Sequence, residues 1–119
     1  MKRLSKIDSL AALINGEALA IPHVCARFGI TDNQIYDRRH YPPRPAARQA
    51  LFWLVLEYSG ASCEQFEHHI GFSAYHVYTR AGEFSKLMAE DVELAKWAKM
   101  TLSLMRGGYI LDSAGVPAA

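Results

Sequence analysis

A chain of 119 residues is long enough for one compact domain or two very small packed units, and 50% hydrophobic with 21% charged residues excludes a disordered chain. A net charge of +1 does not by itself call for nucleic acid, and two cysteines suit a reducing compartment better than a disulfide framework. No apolar h-region follows Met1-Lys2-Arg3, and the longest apolar run, Ala50 to Leu56, is too short to span a bilayer; a cytoplasmic chain with no membrane partner is expected.

In chain order the reading is all helical. Leu4, Ile7, Leu10, Leu13 and Ile14 recur at helical spacing, and Asn15-Gly16 is expected to stop that segment. Pro22 suits the first turn of a short helix, His23 to Phe28, ended by Gly29. Thr31 is an N-cap with Gln34 as its capping-box partner. Tyr41-Pro42-Pro43-Arg44-Pro45 cannot continue a helix and predicts a stiff link. Residues 46–58 form the most apolar helix, ending at Ser59-Gly60. Ser62 caps a short helix closed by Gly71, and Ser73 caps the next, whose period continues through Val77, Ala81, Phe84, Leu87 and Met88. Asp91 caps a last helix carrying Leu94, Trp97, Ala98, Thr101, Leu102 and Met105, closed by Gly107-Gly108. No period-2 alternation of useful length occurs, so a sheet is not expected. The expected organisation is an N-terminal helix-turn-helix unit over residues 1–42, a second helical unit over 43–112, and a frayed tail over 113–119.

Charge is unevenly spread. Residues 1–50 carry eight Lys and Arg against four Asp and Glu, a net +4, whereas residues 51–119 carry five against eight, a net −3. The basic surface therefore concentrates around residues 27–48.

Two helix-turn-helix candidates follow. In the first, Ile21 to Tyr41, Val24, Cys25 and Phe28 face inward, Gly29 makes the turn, and Ile30 and Ile35 pin the second helix. Its outward face offers Asp32, Asn33, Gln34, Tyr36, Asp37, Arg38 and His40. Asn33, Gln34 and Arg38 are of the types that reach base edges by bidentate hydrogen bonding, while Arg38 and Arg39, at the far end of the helix, alternatively suit phosphates; Arg44 is a further candidate DNA contact. Asp32 and Asp37 oppose phosphate, and an ordinary helical hairpin with a solvated polar face gives the same pattern. The second candidate runs from Ser62 to about Ala89, with the helix beginning at Ser73 as reader. There Ser73, Ala74, Tyr75, His76, Tyr78, Thr79 and Arg80 lie near a helix N-terminus, where free N–H groups favour phosphate. At least one of Tyr75 and Tyr78 is expected to pack inward instead.

Residues 46–100 resemble the C-terminal DNA-binding domain of the bacterial chromosomal replication initiator DnaA. The likeness rests on Arg48-Gln49 opening an apolar helix, on Glu57, Ser59-Gly60-Ala61-Ser62, Phe66, Gly71 and Val77 without a gap, and on Glu90-Asp91-Val92-Glu93-Leu94. It implies a minor-groove or neighbouring DNA contact for Arg48. The family's Asp-His-Ser/Thr-Thr reading stretch aligns with Ser73, Ala74, Tyr75 and His76, so the Asp and His are missing. The resemblance thus implies the fold and general DNA binding, but not recognition of the initiator's own box. No GxxxxGK[ST] loop occurs, so nucleotide-driven assembly is not implied.

Enzymatic readings are weaker. There is no CxxC or HExxH, and adjacent His68 and His69 cannot place both rings on one helix face. No metal, cofactor or small-molecule substrate is expected. Glu64 and Glu67 read as the solvated side of a short helix, Cys25 and Cys63 as small core residues, and Trp53 and Trp97 as core residues or inter-helix anchors. The expectation is a sequence-specific binder of double-stranded DNA, a bacterial or phage transcriptional regulator acting as a homodimer. The alternatives are a packaging or replication accessory resembling a small terminase subunit, and a helical protein-interaction module that has lost DNA binding, to which Tyr109-Ile110-Leu111 would contribute.

Overall fold

A computed structural model of the chain describes residues 6–36 and 44–107. It is all-α: six helices and no strand occur among the described residues. They are α1 (Lys6–Phe28), α2 (Asp32–Ile35), α3 (Arg44–Ser59), α4 (Cys63–Ile70), α5 (Ala74–Glu90) and α6 (Val92–Arg106).

The first correction is at the N-terminus. Neither Asn15-Gly16 nor Pro22 breaks the chain, and α1 runs unbroken for 23 residues. Ser9, Leu13, Gly16, Ala20 and Val24 form a buried stripe at spacings of three and four, with Leu19 and His23 beside it. Burying Leu13, Leu19 and Val24 stabilises by about 1.5–3 kcal/mol each, which exceeds a helix-interior glycine at about 1 and proline at about 3 taken together. Gly16 has a positive use. A Cβ there would lie 2.7 Å from Cδ1 of Tyr58, so the glycine lets α3 come close, and Nδ2 of Asn15 donates to the Tyr58 hydroxyl at 2.8 Å. Over Ser9–Phe28, α1 is long and apolar enough by composition to cross a membrane, with mean hydropathy 1.3. Its apolar stripe lies in the common core, alongside α3.

The helix α3 is the central strut. Ala47, Ala50, Leu51, Phe52, Leu54 and Val55 are buried over more than half of its circumference, and α1, α2, α5 and α6 all pack on it. It begins at Arg44, with Pro45 in its first turn, where a missing N–H costs nothing. The remaining core comes from Ile35, Phe66, Phe72, Val77, Ala81, Phe84, Ala98, Leu102 and Met105, in one cluster drawing on every helix. Trp53 leans on Phe84 at 5.7 Å and Trp97 meets Phe28 edge-on at 5.9 Å, as expected of inter-helix anchors. Asp91 alone separates α5 from α6, and its carboxylate accepts from the Leu94 N–H at 3.0 Å.

Candidate nucleic-acid interface

Helices α4 and α5 are joined by a short turn at Gly71-Phe72-Ser73, and the local chemistry there follows the sequence closely. Ser62 caps α4: the Gln65 N–H donates to Ser62 Oγ at 3.1 Å and the Ser62 N–H donates to Gln65 Oε1 at 3.0 Å. Gly71 ends α4 in the left-handed region with φ 80, a conformation that costs an L-side chain about 1–2 kcal/mol, and its N–H reaches the Glu67 carbonyl at 2.8 Å. Phe72 turns inward, and Ser73 caps α5 by accepting from the His76 N–H at 3.1 Å. Phe66 and Val77 are wholly buried on either side of the turn, and Phe66 meets Phe52 of α3 edge-on at 5.2 Å.

The expected reader face is only partly the one displayed. Tyr75 and Tyr78 are 79% and 71% exposed, so neither packs inward, which corrects the expectation that at least one of them does. The residues Val77, Ala81 and Phe84 occupy the α5 face that meets the core, and positions 75 and 78 fall outside that arc. His76 goes the other way: its ring stacks on Phe72 at 5.2 Å and lies edge-on to Phe52 at 6.0 Å. Arg80 is held on its own helix, its Nη1 within 2.6 Å of both carboxylate oxygens of Glu83, and Glu83 also accepts from Nε2 of Gln49 at 2.5 Å. Ala74 and Thr79 are half-buried, and Ser73 is exposed. The first amide of α5 is already engaged, since the Ala74 N–H donates to the Glu67 carboxylate at 2.6 Å. That carboxylate sits where a phosphate would otherwise be favoured.

Two surface grooves flank the tyrosines. One of about 490 Å³ runs between α3 and α5, with Trp53, Leu56 and Glu57 on one wall and Tyr75, Tyr78, Gly82 and Lys86 on the other. A second of about 470 Å³ lies toward α4, bounded by Cys63, Glu64, Ala74 and the same two rings.

The N-terminal candidate is smaller than the sequence suggested. Its second helix, α2, has four residues, and Tyr36 follows as a turn. Gln34 is folded back, its Oε1 accepting from the Thr31 N–H at 3.0 Å, while Asn33 is exposed. Arg38, Arg39, Asp37, His40 and the Arg44 side chain lie outside the described residues, as do Tyr109-Ile110-Leu111 and the tail. Tyr36 is not on an outward face. Its hydroxyl donates to Glu17 of α1, and its ring lies 6.0 Å from Phe72. Glu17 also bonds Nε2 of His69 at 2.8 Å, so one carboxylate ties α1 to both α2 and α4. Burial, then the hydrogen bond to Glu17 and its negative charge, push the Tyr36 phenol well above its ordinary value. This junction had no signal in the sequence, because its partners are 19 and 52 residues apart.

Arg48 departs most from its expected role. Only 7% exposed, it donates from Nε to the Ile35 carbonyl at 3.2 Å and places its guanidinium 5.2 Å over the Phe72 ring. The side chain joins α2, α3 and the α4–α5 turn from inside and offers little surface to DNA. Cys25 and Cys63 are half-buried against the core; burial chiefly, with Asp32 and Glu64 respectively, raises both thiols above their ordinary value. Among the described residues no group of three or more His, Cys, Asp and Glu converges to hold a metal.

No protein-family model, no curated protein and no solved structure matches the chain.

Proposed function

We propose that the chain binds double-stranded DNA, with α5 as the helix presented to the major groove. The observation that carries this reading is the α4–turn–α5 unit itself. It is capped at both helix starts, turned by Gly71 in the left-handed region, anchored on α3 by Phe66 and Val77, and leaves Tyr75, Tyr78 and Lys86 outward on its second helix. The resemblance of residues 46–100 to the replication initiator's DNA-binding domain supports the same assignment. A bacterial or phage transcriptional regulator in the cytoplasm is a role such a unit suits.

A homodimer fits the dimensions. The molecule measures 35 × 34 × 29 Å, and two copies side by side would set their reader helices roughly one DNA turn, about 34–36 Å, apart. Selection from a pool of randomised duplexes with the full chain at physiological salt tests the reading. Enrichment of one motif, single or repeated at about 10 base pairs, supports it; a pool that stays random counts against it.

A second reading has its own observation. Glu57 and Glu64 lie beside the two tyrosines and Glu67 occupies the α5 N-terminus, a setting that suits a basic protein segment better than phosphate. A chain that retains no duplex in the selection would favour that protein-interaction module.

A further inference from the structure

The outward stripe of α5 is Tyr75, Tyr78, Gly82 and Lys86, spaced by three, four and four residues and shared by the wall of the α3–α5 groove. Its chemistry narrows what α5 can read. Bidentate recognition of guanine requires Arg or Lys, and of adenine Asn or Gln. The stripe has none of these at Tyr75, Tyr78 or Gly82. Arg80 is engaged by Glu83, and Lys86 lies about 16 Å along the axis from Tyr75 at 1.5 Å per residue. What the start of α5 presents is two phenol rings beside the half-buried Ala74, with Thr79 on the groove wall and the exposed Ser73 oxygen held as the helix cap. The apolar feature on a standard base edge in the major groove is the 5-methyl group of thymine.

Gly82 points the same way. It lies in the middle of a 17-residue helix, on the exposed side, and a Cβ placed there would meet nothing within 4 Å. A helix-interior glycine lowers helix stability, and here no neighbour among the described residues requires it. The open position between Tyr78 and Lys86 keeps the helix surface low where an outside body would lie against it.

Resting on the duplex-DNA reading above, we propose that α5 recognises the 5-methyl edge of pyrimidines, so that the target is thymine-rich duplex. Tyr75 and Tyr78 close over the methyl groups, Gly82 lets the helix lie close, and Lys86 reaches a flanking phosphate.

Replacing thymine by deoxyuridine removes that methyl group and leaves the base pairing and the minor groove unchanged. The test is the affinity of the full chain for a labelled 20-base-pair alternating dA-dT duplex, for its deoxyuridine counterpart, and for a G·C duplex carrying cytosine or 5-methylcytosine. Each buried methyl contact is expected to contribute about fourfold, so uracil weakens binding by at least that factor and 5-methylcytosine strengthens binding to the G·C duplex. Tyr75→Ala and Tyr78→Ala should each shrink the thymine–uracil ratio toward one, while Tyr75→Phe preserves it; helical circular dichroism checks that all three stay folded. Equal affinity for thymine and uracil duplexes in a chain that binds both overturns the methyl readout and leaves the DNA reading standing. Failure to bind any of the four duplexes at low salt overturns both.

Discussion

Arg48 illustrates how little a residue's type says about its task. An arginine opening an apolar helix beside a basic segment reads as a phosphate or groove contact, yet it is buried against Phe72 and the Ile35 carbonyl. A guanidinium has a long apolar stem and a planar head, so it can be held inside by one carbonyl and an aromatic face. Arg48→Ala is therefore expected to destabilise the fold by about 1–3 kcal/mol, because the Ile35 carbonyl loses its donor and the ring loses its cover. Urea unfolding reads this, and an Arg48→Ala chain as stable as wild type would contradict the placement. Tyr36 yields a prediction in pH. Its folded-state value lies above the ordinary value of 10, so its contribution to stability is complete below pH 10 and declines as pH rises through and beyond it. The two raised thiols act in the same direction from about pH 9 upward. Chemical unfolding at pH 8 and pH 10.5 should show a loss of stability at the higher pH, reduced in Tyr36→Phe. An undiminished loss in that variant would mean that other groups account for it.

At the scale of the element, caps, turns and glycine stops were legible in the sequence, and the two breaks expected inside α1 do not occur. Ser62, Gly71, Ser73 and Asp91 each act where local chemistry places them, since a cap needs only residues within one turn. The Asn15-Gly16 and Pro22 breaks fail because the stripe through Leu13, Gly16, Ala20 and Val24 is continuous across them, and burial on α3 outweighs local propensity. The two interior glycines make opposite predictions. Gly16→Ala sets a Cβ 2.7 Å from a Tyr58 ring held by Asn15, and should cost about 1–3 kcal/mol in urea unfolding. Gly82→Ala meets no neighbour among the described residues and should stabilise the fold by about 0.5–1 kcal/mol while weakening affinity for duplex DNA. A Gly82→Ala chain that is more stable and binds DNA as well as wild type would separate the glycine from the interface.

Across the whole molecule, the all-α class and the succession α4, turn, α5 were readable from periodicity and turn residues, whereas the displayed face was not. Helical spacing predicts a buried arc, but which of two adjacent aromatic residues lies outside it depends on the direction from which α3 approaches. Hence Tyr75 and Tyr78 stand exposed while His76 turns in. The Glu17 junction among α1, α2 and α4 was invisible for another reason: contacts 19 and 52 residues apart leave no local pattern. Charge separation along the chain, +4 followed by −3, also does not translate into a basic reader face, since Glu57, Glu64 and Glu67 border α5. Affinity for DNA should accordingly rest on few phosphate contacts and show a shallow salt dependence, with a slope of magnitude about 0.9 per contact made. The most direct measurement of the central claim is fluorescence anisotropy of a selected duplex against salt, for wild type and a Tyr75→Ala/Tyr78→Ala double variant of matched helical content. With α5 as the reader, log affinity falls linearly with log salt and the double variant loses about tenfold or more, as expected for the removal of two base-edge contacts. A double variant that binds as tightly as wild type would contradict the assignment of α5 to DNA.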